Sequence, residues 1–348
     1  MKAKIFLFSA LFFLFSCKKE PQIFTENQVV ISERVQFQKN AGFLEVKSGK
    51  FTYKIPKEKL PYKNVMLLNS SLTGYILELE KEEVIKGISS PEYVYSEKIH
   101  QMLEKNIIQN IGNEQKYDIE KIIAYKPDVI FTNYIQSFDN TYDVLKKNGI
   151  EIIFIDEYLE QQPLQKSRII ELFGVLLGGE KKAEEVYKNV EKNYLELKKT
   201  ASKTKNRPVV IANEMYGSQW FLPGGKTYAA NYFRDANADY ILNDNQDEKS
   251  IPLTFEEVFL KAGNAQYWMN LSDYSNRKQM LPINPNYEKM NVFKHGKLYS
   301  IHGKTRGSGN DVFESGAVRA DLVLKDYIKA FHPELFADEP FIYLKEIQ

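Results

Sequence analysis

The chain has 348 residues, of which 43% are hydrophobic, enough for the cores of two domains of ordinary size. Its 47 basic and 46 acidic side chains leave a formal charge of +1, so it lacks the basic surplus that is typical of nucleic-acid-binding proteins. Cys17 is the single cysteine, which excludes disulfide bonds within the chain. The fold must therefore rest on packing alone.

The opening stretch, MKAKIFLFSALFFLFSCKKE, is typical of a bacterial export signal. Two lysines precede an apolar run that ends at Phe15, too short to span a bilayer but suited to the hydrophobic region of a secretory signal. Cys17 follows the small Ser16, where a lipobox has the cysteine that receives diacylglycerol. We predict a signal peptide over residues 1–16 and a lipid anchor at Cys17, with a plain secretory signal as the alternative.

Residues 17–62 are predicted to form a tether and a β addition in front of the first domain. Partly alternating apolar residues lie on both sides of a Ser48-Gly49 turn in FLEVKSGKFTYKI, which is a hairpin pattern.

Residues 63–160 alternate strand-like and helix-like segments, from NVMLLNSS to IEIIFID. This alternation predicts a largely parallel sheet, and ligands of such sheets bind at the carboxyl ends of the strands. The loop residues expected to face a cleft there are Ser70, Ser71, Asn113, Asn133 and Tyr134.

Residues 161–205 have apolar positions at helical spacing. Pro163 suits a first helical turn, and Gly178 and Gly179 interrupt the pattern, which predicts a helix of about four turns followed by one of about five or six. Such helices could form a stiff spine between two lobes, or could cover one sheet of a single domain.

Residues 206–348 restart the same alternation and contain an internal echo. DIEKIIAYKPDVIFTN and TFEEVFLKAGNAQYWMN each have a capping residue, a glutamate two positions on (Glu120 and Glu256), an apolar helix face and a strand ending in Asn. Taken singly, each glutamate fits an ordinary first helical turn. Because the unit occurs in both halves, the echo favours two lobes.

Motifs for catalysis and metal binding do not occur in the sequence. It has no P-loop, no G-x-S-x-G elbow and no H-E-x-x-H, and its four histidines lack metal-ligand spacing. We therefore predict no enzyme, no metal site and no covalent cofactor, although paired carboxylates far apart in sequence leave a hydrolase open.

Four units of the chain together resemble a known family. They are IGN...YDIEKIIAYKPDVIF, LQKSRIIELFGVLLGGEKKAEEVYKNVEKNY, WFLPGGKTYAANYFRDANADYI and VFESGAVRADLVLKDYIKAFHPELF. They resemble the cobalamin and iron-siderophore class of substrate-binding proteins of bacterial ABC importers, in the variant common among Bacteroidetes lipoproteins, over about residues 63–336. The resemblance implies an α/β fold of two Rossmann-like lobes bridged by a long rigid α-helix (a class III periplasmic binding protein).

The resemblance also implies a function. The protein would be a monomer in the periplasm or cell envelope, anchored to the membrane by lipid, that captures an iron complex (siderophore or haem) or cobalamin and delivers it to an ABC permease. No nucleic acid is expected as a partner. A lipoprotein interaction or assembly subunit and a cleft hydrolase remain as alternatives.

The family's functional residues transfer onto matching positions. Glu120 and Glu256 would dock onto arginines of the permease, with Glu257 as a possible substitute for Glu256. The expected ligand contacts are Ser71, Tyr93, Tyr95, Tyr134, Tyr216, Trp220, His302, Arg306 and Arg319. For haem, His302 or a tyrosine would be the axial ligand.

Two of these contacts have structural alternatives. Trp220 could instead pack under the GGKT loop, and Arg319 could form an ion pair with Asp311 or Asp321.

Overall fold

The computed structural model describes residues 27–113 and 115–348, so the predicted signal peptide and the lipid anchor at Cys17 lie outside it. Within these ranges, no helix is both long and apolar enough to cross a bilayer. The described chain begins with a four-stranded antiparallel sheet, the N-terminal sheet, in the order β1-β2-β3-β4. Its strands are β1 (Gln28–Val30), β2 (Val35–Lys39), β3 (Phe43–Ser48) and β4 (Phe51–Pro56).

The N-terminal sheet packs against the domain that follows it. Strands β3 and β4 pair in the predicted hairpin, which turns at Gly49 with φ of +57°. The Phe51 ring lies 4.7 Å from that of Phe154, and the Phe154 amide donates a hydrogen bond to the Tyr53 hydroxyl at 2.9 Å. The sheet is therefore an extension of the first lobe.

The first lobe contains a parallel five-stranded sheet in the order β11-β10-β5-β6-β7. Its elements are β5 (Val65–Leu67), α1 (Thr73–Glu78), β6 (Ile85–Ile88), α2 (Glu97–Glu104), β7 (Gln109–Asn110), the small pair β8 (Gly112–Asn113) and β9 (Lys116–Tyr117), α3 (Ile119–Tyr125), β10 (Val129–Thr132), α4 (Asp139–Lys147) and β11 (Glu151–Phe154).

Two helices follow and form the spine: α5 (Pro163–Leu177) and α6 (Glu180–Ala201). The second lobe contains β12 (Val209–Ala212), β13 (Met215–Tyr216), β14 (Gln219–Pro223), α7 (Tyr228–Asp235), β15 (Asp239–Tyr240), β16 (Ser250–Leu253), α8 (Phe255–Lys261), β17 (Tyr267–Leu271), α9 (Asn291–His295), β18 (Lys297–Ser300), β19 (Thr305–Arg306), β20 (Gly309–Asn310), α10 (Ser315–Val318), α11 (Ala320–Phe331) and β21 (Lys345–Ile347).

The main sheet of the second lobe has the order β15-β12-β17-β18-β21, with β21 from the tail as an antiparallel edge. Four strands of each lobe repeat one order: β6-β5-β10-β11 in the first and β15-β12-β17-β18 in the second. The strands of the sequence echo, β10 and β17, hold equivalent positions, and α3 and α8 directly precede them. The predicted duplication of the lobe is confirmed.

The spine is a pair of antiparallel helices rather than one continuous rod. Gly178, with φ of +71°, ends α5, and α6 turns back along it. The Arg168 guanidinium lies 5.3 Å from the centre of the Tyr187 ring, and a Cβ at Gly174 would meet the Ala183 Cβ at 2.5 Å. A side chain at position 174 would therefore push the helices apart.

The long helix that bridges the lobes is α6. Its Ala183 and Tyr187 belong to the core of the first lobe, whereas Val190 and Tyr194 belong to that of the second. The burial of one helix in both cores opposes large movement between the lobes.

The lobes also touch through the segment before α10. The buried Glu314 carboxylate accepts hydrogen bonds from the first-lobe amides of Tyr95, at 2.8 Å, and Ser96, at 3.1 Å. Burial raises the pKa of Glu314 to about 7, even though the Tyr95 amide bond opposes the shift. A titratable group therefore lies in the contact between the lobes.

Candidate ligand-binding cleft

Two cavities line the space between the lobes and share Gln161 and Glu248. The first-lobe cavity, of about 750 Å³, lies between the N-terminal sheet and the ends of β10 and β11, where it is lined by Tyr134 and Asp156. The second-lobe cavity, of about 440 Å³, lies at the ends of β12, β17 and β18. Both volumes are in the range of small-molecule sites. The cavities therefore follow the predicted rule for parallel sheets.

Tyrosines form much of the wall of the second-lobe cavity. Tyr228, Tyr232 and Tyr327 line it, and the hydroxyls of Tyr228 and Tyr232 lie 2.9 Å apart. Burial raises the pKa of Tyr228 to about 12 and that of Tyr232 well above its usual value. Tyr228 and Tyr232 are thus neutral and carry no phenolate charge, and of the three tyrosines only Tyr228 is partly exposed to the cavity.

Asparagines supply polar groups at the strand ends of the same cavity. Asn270 in β17 accepts a hydrogen bond from the Tyr327 hydroxyl at 2.6 Å. Asn213 follows β12 with φ of +58°, a backbone conformation that asparagine tolerates well, and its side-chain amide donates to the Phe221 carbonyl at 2.8 Å.

The indole groups of the two tryptophans form hydrogen bonds with the backbone at the end of β12. The Trp268 indole donates to the Asn213 carbonyl at 2.6 Å, and the Trp220 indole donates to the Ala212 carbonyl at 3.0 Å. Their rings stack with centroids 5.1 Å apart. The stacked pair therefore fixes the backbone that carries Asn213 into the cavity.

One ammonium group enters the second-lobe cavity from the spine. Lys166, near the start of α5, is partly buried, and its Nζ lies 5.0 Å from the centre of the Tyr228 ring. Burial lowers the pKa of Lys166, while the charges of Glu157 and Glu160 act against this shift.

The first-lobe cavity is more polar. The Tyr134 amide donates to the Asp156 carboxylate at 2.7 Å, and the Lys50 ammonium lies 3.8 Å from the centre of the Tyr134 ring. Burial raises the pKa of Asp156, and the hydrogen bond from the Tyr134 amide opposes it. Arg34 of the N-terminal sheet pairs at 3.8 Å with Glu248 of the second lobe. This ion pair spans the side of the cleft.

Of the nine predicted ligand contacts, Tyr134 lines one of the two cavities. The other eight line neither of them. Among these, the Ser71 hydroxyl donates to Glu157 at 2.6 Å, and so is held by the protein's own carboxylate.

Two predicted contacts are corrected by burial and pairing. Trp220 is fully buried because β14 belongs to a small antiparallel sheet, β13-β14-β16, whose inner face it occupies, so its ring cannot stack on a ligand at the rim. Arg319 forms two hydrogen bonds with Asp321, at 3.0 and 2.9 Å. For Arg319 the predicted ion pair with Asp321 applies, whereas Trp220 packs against Trp268 and Tyr287.

The remaining five predicted contacts lie elsewhere on the surface. Tyr93 and Tyr216 are 56% and 83% exposed, respectively. Tyr95 lies under the Lys304 ammonium at 5.1 Å, and Arg306 pairs with Glu97 of the first lobe at 3.0 Å.

His302 is fixed locally, since its Nδ1 lies 3.1 Å from the Ser300 hydroxyl. Tyr95, Arg306 and His302 therefore belong to contacts made by the β19–β20 region. Among the side chains that the structure describes, no group of three or more His, Cys, Asp or Glu could hold a metal ion.

The two predicted docking glutamates occupy matching sites on the lobes. Glu120 and Glu256 are both exposed in the first turns of α3 and α8. The neighbouring Glu257 is engaged in a capping box, because its carboxylate accepts from the Thr254 amide at 2.7 Å. Glu256, rather than Glu257, is thus the free carboxylate of α8.

The sequence reasoning missed the residues that line the second-lobe cavity, chiefly Asn213, Asn270, Tyr228 and Lys166. Asn270 is the counterpart of Asn133 in the echo, and Asn213 follows a strand, so the strand-end rule could have found both. Tyr228 and Lys166 lie on helices, and helical periodicity does not tell which face points to a cleft.

Comparison with known protein families identifies the family of this chain. The sequence model of the periplasmic binding protein family matches residues 67–305, more than half of the chain. The chain belongs to this family. Its members are solute-binding proteins rather than enzymes, and the fold of this periplasmic binding protein is the class III type.

Relatives of this periplasmic binding protein include two proteins of Methanocaldococcus jannaschii. An uncharacterized lipoprotein is 28% identical over 245 residues, which are 70% of this chain and 57% of that protein. A second uncharacterized protein is 24% identical over 286 residues, covering 79% of this chain and 84% of that one. The chain thus matches little more than half the length of the first relative.

Solved structures share the fold. A periplasmic binding protein from Veillonella parvula has a TM-score of 0.61 at 16% identity, with 86% of this chain and 98% of that chain covered. A possible iron-binding periplasmic solute-binding protein from Staphylococcus epidermidis has a TM-score of 0.60 at 18% identity, covering 78% and 99%. A periplasmic haem-binding protein from Pseudomonas aeruginosa has a TM-score of 0.60 at 15% identity, covering 82% and 98%.

Proposed function

We propose that this protein is the lipid-anchored substrate-binding component of an ABC importer. It captures an iron complex, either a siderophore or haem, or cobalamin, in the cleft between its lobes and delivers it to the permease. It acts as a monomer at the outer side of the membrane, held through Cys17.

The cavity at the strand ends of the second lobe carries this proposal. The ring of the partly exposed Tyr228, backed by the buried Tyr232 and Tyr327, suits a flat organic chelate, and Asn213 and Asn270 provide polar contacts around it. The names of two similar structures, an iron-binding and a haem-binding protein, favour a metal complex as the solute.

The exposed glutamates support delivery to a transporter. Because α3 and α8 precede equivalent strands, Glu120 and Glu256 are presented once per lobe. A permease with two-fold symmetry could engage both through arginines, and such exposed pairs set orientation and association rate more than affinity.

Titration of the leaderless protein with ferric siderophores, haemin and cyanocobalamin tests the proposal. Tryptophan emission is a suitable signal, because the Trp220–Trp268 pair bonds to the backbone that carries Asn213. We expect saturable quenching by one class of complex, at micromolar concentration or below. No response to any member would contradict the proposal and would favour an interaction subunit.

The hydrolase alternative makes a separate prediction. Turnover of a panel of ester, amide and phosphoester substrates, lost on substitution of cleft carboxylates such as Asp156 or Glu248, would favour an enzyme and contradict the assignment.

A further inference from the structure

The ammonium of Lys166 is the one cationic group that the spine presents to the second-lobe cavity. In the described ranges of the chain, no carboxylate lies within ion-pair distance of its Nζ, and no hydrogen bond satisfies it. The ammonium lies 5.0 Å from the centre of the Tyr228 ring. A partly buried cation whose three N–H donors have no hydrogen-bond partner retains its capacity to bind an anion.

Two buried acids, Glu157 and Glu160, act on Lys166 through their charges but form no ion pair with it. One oxygen of Glu157 accepts from the Ser71 hydroxyl at 2.6 Å, and one oxygen of Glu160 accepts from the Ser32 hydroxyl at 2.7 Å. Among the described residues, the second oxygen of Glu157 has no hydrogen-bond partner. The third nearby acid, Glu248, pairs with Arg34.

The cavity lining contains one carboxylate, that of Glu248, which is exposed and pairs with Arg34. Its other charged lining residue besides Lys166 is Lys249, which is also exposed. The remaining polar side chains of the floor are neutral: the asparagines Asn213 and Asn270 and the tyrosines described above. An anion entering the cavity thus meets one buried cation, hydrogen-bond donors and aromatic faces.

From this arrangement we propose that Lys166 binds a carboxylate of the solute, and that the second-lobe cavity selects organic ligands that carry a carboxylate beside a flat or apolar body. This inference rests on the proposed function, since it names the chemical class of the complex held in the same cleft. Lys166 forms a charge-assisted hydrogen bond with the carboxylate, while the partly exposed Tyr228 packs against the body of the ligand.

A matched ligand pair tests the proposal on the leaderless protein. Haemin carries two carboxylates, and its dimethyl ester has the same ring and metal without them. Wild type should bind haemin more tightly than the ester. Lys166→Gln should weaken haemin binding about 10-fold to 100-fold and leave the ester within about 3-fold of its wild-type affinity. Lys166→Arg, which keeps the charge, should retain much of the preference.

The control variant is Lys192→Gln, because Lys192 is an exposed lysine of α6 that lines neither cavity. It should match wild type with both ligands. Equal losses for haemin and its ester in Lys166→Gln, or no loss for either, would overturn the role of Lys166 while leaving a metal-complex receptor intact.

Binding of metal-free porphyrins distinguishes failure of the proposed function from failure of the inference about Lys166. If wild type binds neither haemin, ferric siderophores nor cyanocobalamin, the proposed function fails. Protoporphyrin IX and its dimethyl ester then decide the inference: binding of the acid form that depends on Lys166 supports it, and the absence of such binding overturns it.

Discussion

The two lobes share one strand order but differ at the ends of their strands. In the second lobe, the ends of β12 and β17 open into a cavity lined by Asn213, Asn270 and tyrosines. In the first lobe, the ends of β10 and β11 open into a more polar cavity, where the Asp156 carboxylate accepts from the Tyr134 amide. The neighbouring Glu157 accepts from Ser71.

This difference teaches that a repeated topology fixes where a site can form but not what it binds. The shared order gives each lobe a helix with an exposed first-turn glutamate before the equivalent strand, α3 or α8. The residues at the strand ends, together with the N-terminal sheet that covers only the first lobe, make the second lobe the expected centre of ligand contact.

Measuring uptake of the bound complex by cells tests most strongly whether the two lobes play equivalent roles. Glu120→Ala and Glu256→Ala should each reduce uptake of the bound complex by cells that carry the importer, and the double variant should abolish it. Ligand affinity of the purified protein should not change, because neither glutamate lines a cavity. Weakened binding in vitro would show that these carboxylates do not act in docking.

Glu257→Ala is the matched control for the second lobe. It removes the capping box of α8 but leaves Glu256 in place, so uptake should persist. Loss of uptake in this variant alone would move the docking role to Glu257.

Two aromatic residues of the second lobe, Trp220 and Tyr216, differ in burial and should therefore differ in their contribution to stability. Trp220→Ala should lower the free energy of unfolding by about 3–5 kcal/mol, because a fully buried ring stacked on Trp268 is lost. Tyr216→Ala, at 83% exposure, should cost less than about 0.5 kcal/mol. Urea unfolding measures both, and a mild effect at Trp220 would contradict its assignment to the core.

Glu314 lies where the lobes meet, and its raised pKa should make the stability of the protein depend on pH. Because burial raises its folded pKa to about 7 from an ordinary value near 4.5, the folded state holds this proton more tightly than the unfolded state. Its contribution to stability is therefore greatest below about pH 4.5. It falls as pH rises to about 7, by up to about 3 kcal/mol.

The variant Glu314→Gln removes this titration. The difference in unfolding free energy between variant and wild type should grow in favour of the variant across that pH window. A difference that stays constant from pH 4.5 to 7 would contradict the shifted carboxyl.

The smallest expected effect is at the ion pair between Arg34 and Glu248. Both side chains are about half exposed, so the pair should contribute less than about 1 kcal/mol. Glu248→Gln should raise the rate of ligand release by a few-fold at low salt and have no effect at high salt, where the charges are screened. Stopped-flow release measurements test this, and an effect independent of salt would argue against an electrostatic contact.

The sequence predicted the elements of the fold well because periodicity reports on local structure. Helix spacing and Gly178 predicted the spine helices, and the echo predicted the repeated lobe. It did not predict that α6 folds back along α5, since this depends on the close approach of Gly174 to Ala183.

The site was harder to predict for physical reasons. Alternation in β14 separates Trp220 from Phe221, but it does not tell which of the two faces is buried, and tertiary packing buries Trp220. Lys166 and Tyr228 lie on separate helices that meet only in the folded chain. Tyr134, two residues after the end of β10, was predicted because its position depends on strand order alone.

The central claim is that solute binds at the strand ends of the second lobe. Equilibrium titration of wild type, Tyr228→Leu and Tyr216→Leu with the metal complex that quenches wild-type fluorescence tests it directly. We expect a loss of affinity of about 10-fold or more for Tyr228→Leu and no change for Tyr216→Leu. Unchanged affinity in Tyr228→Leu, or a loss confined to Tyr216→Leu, would contradict it.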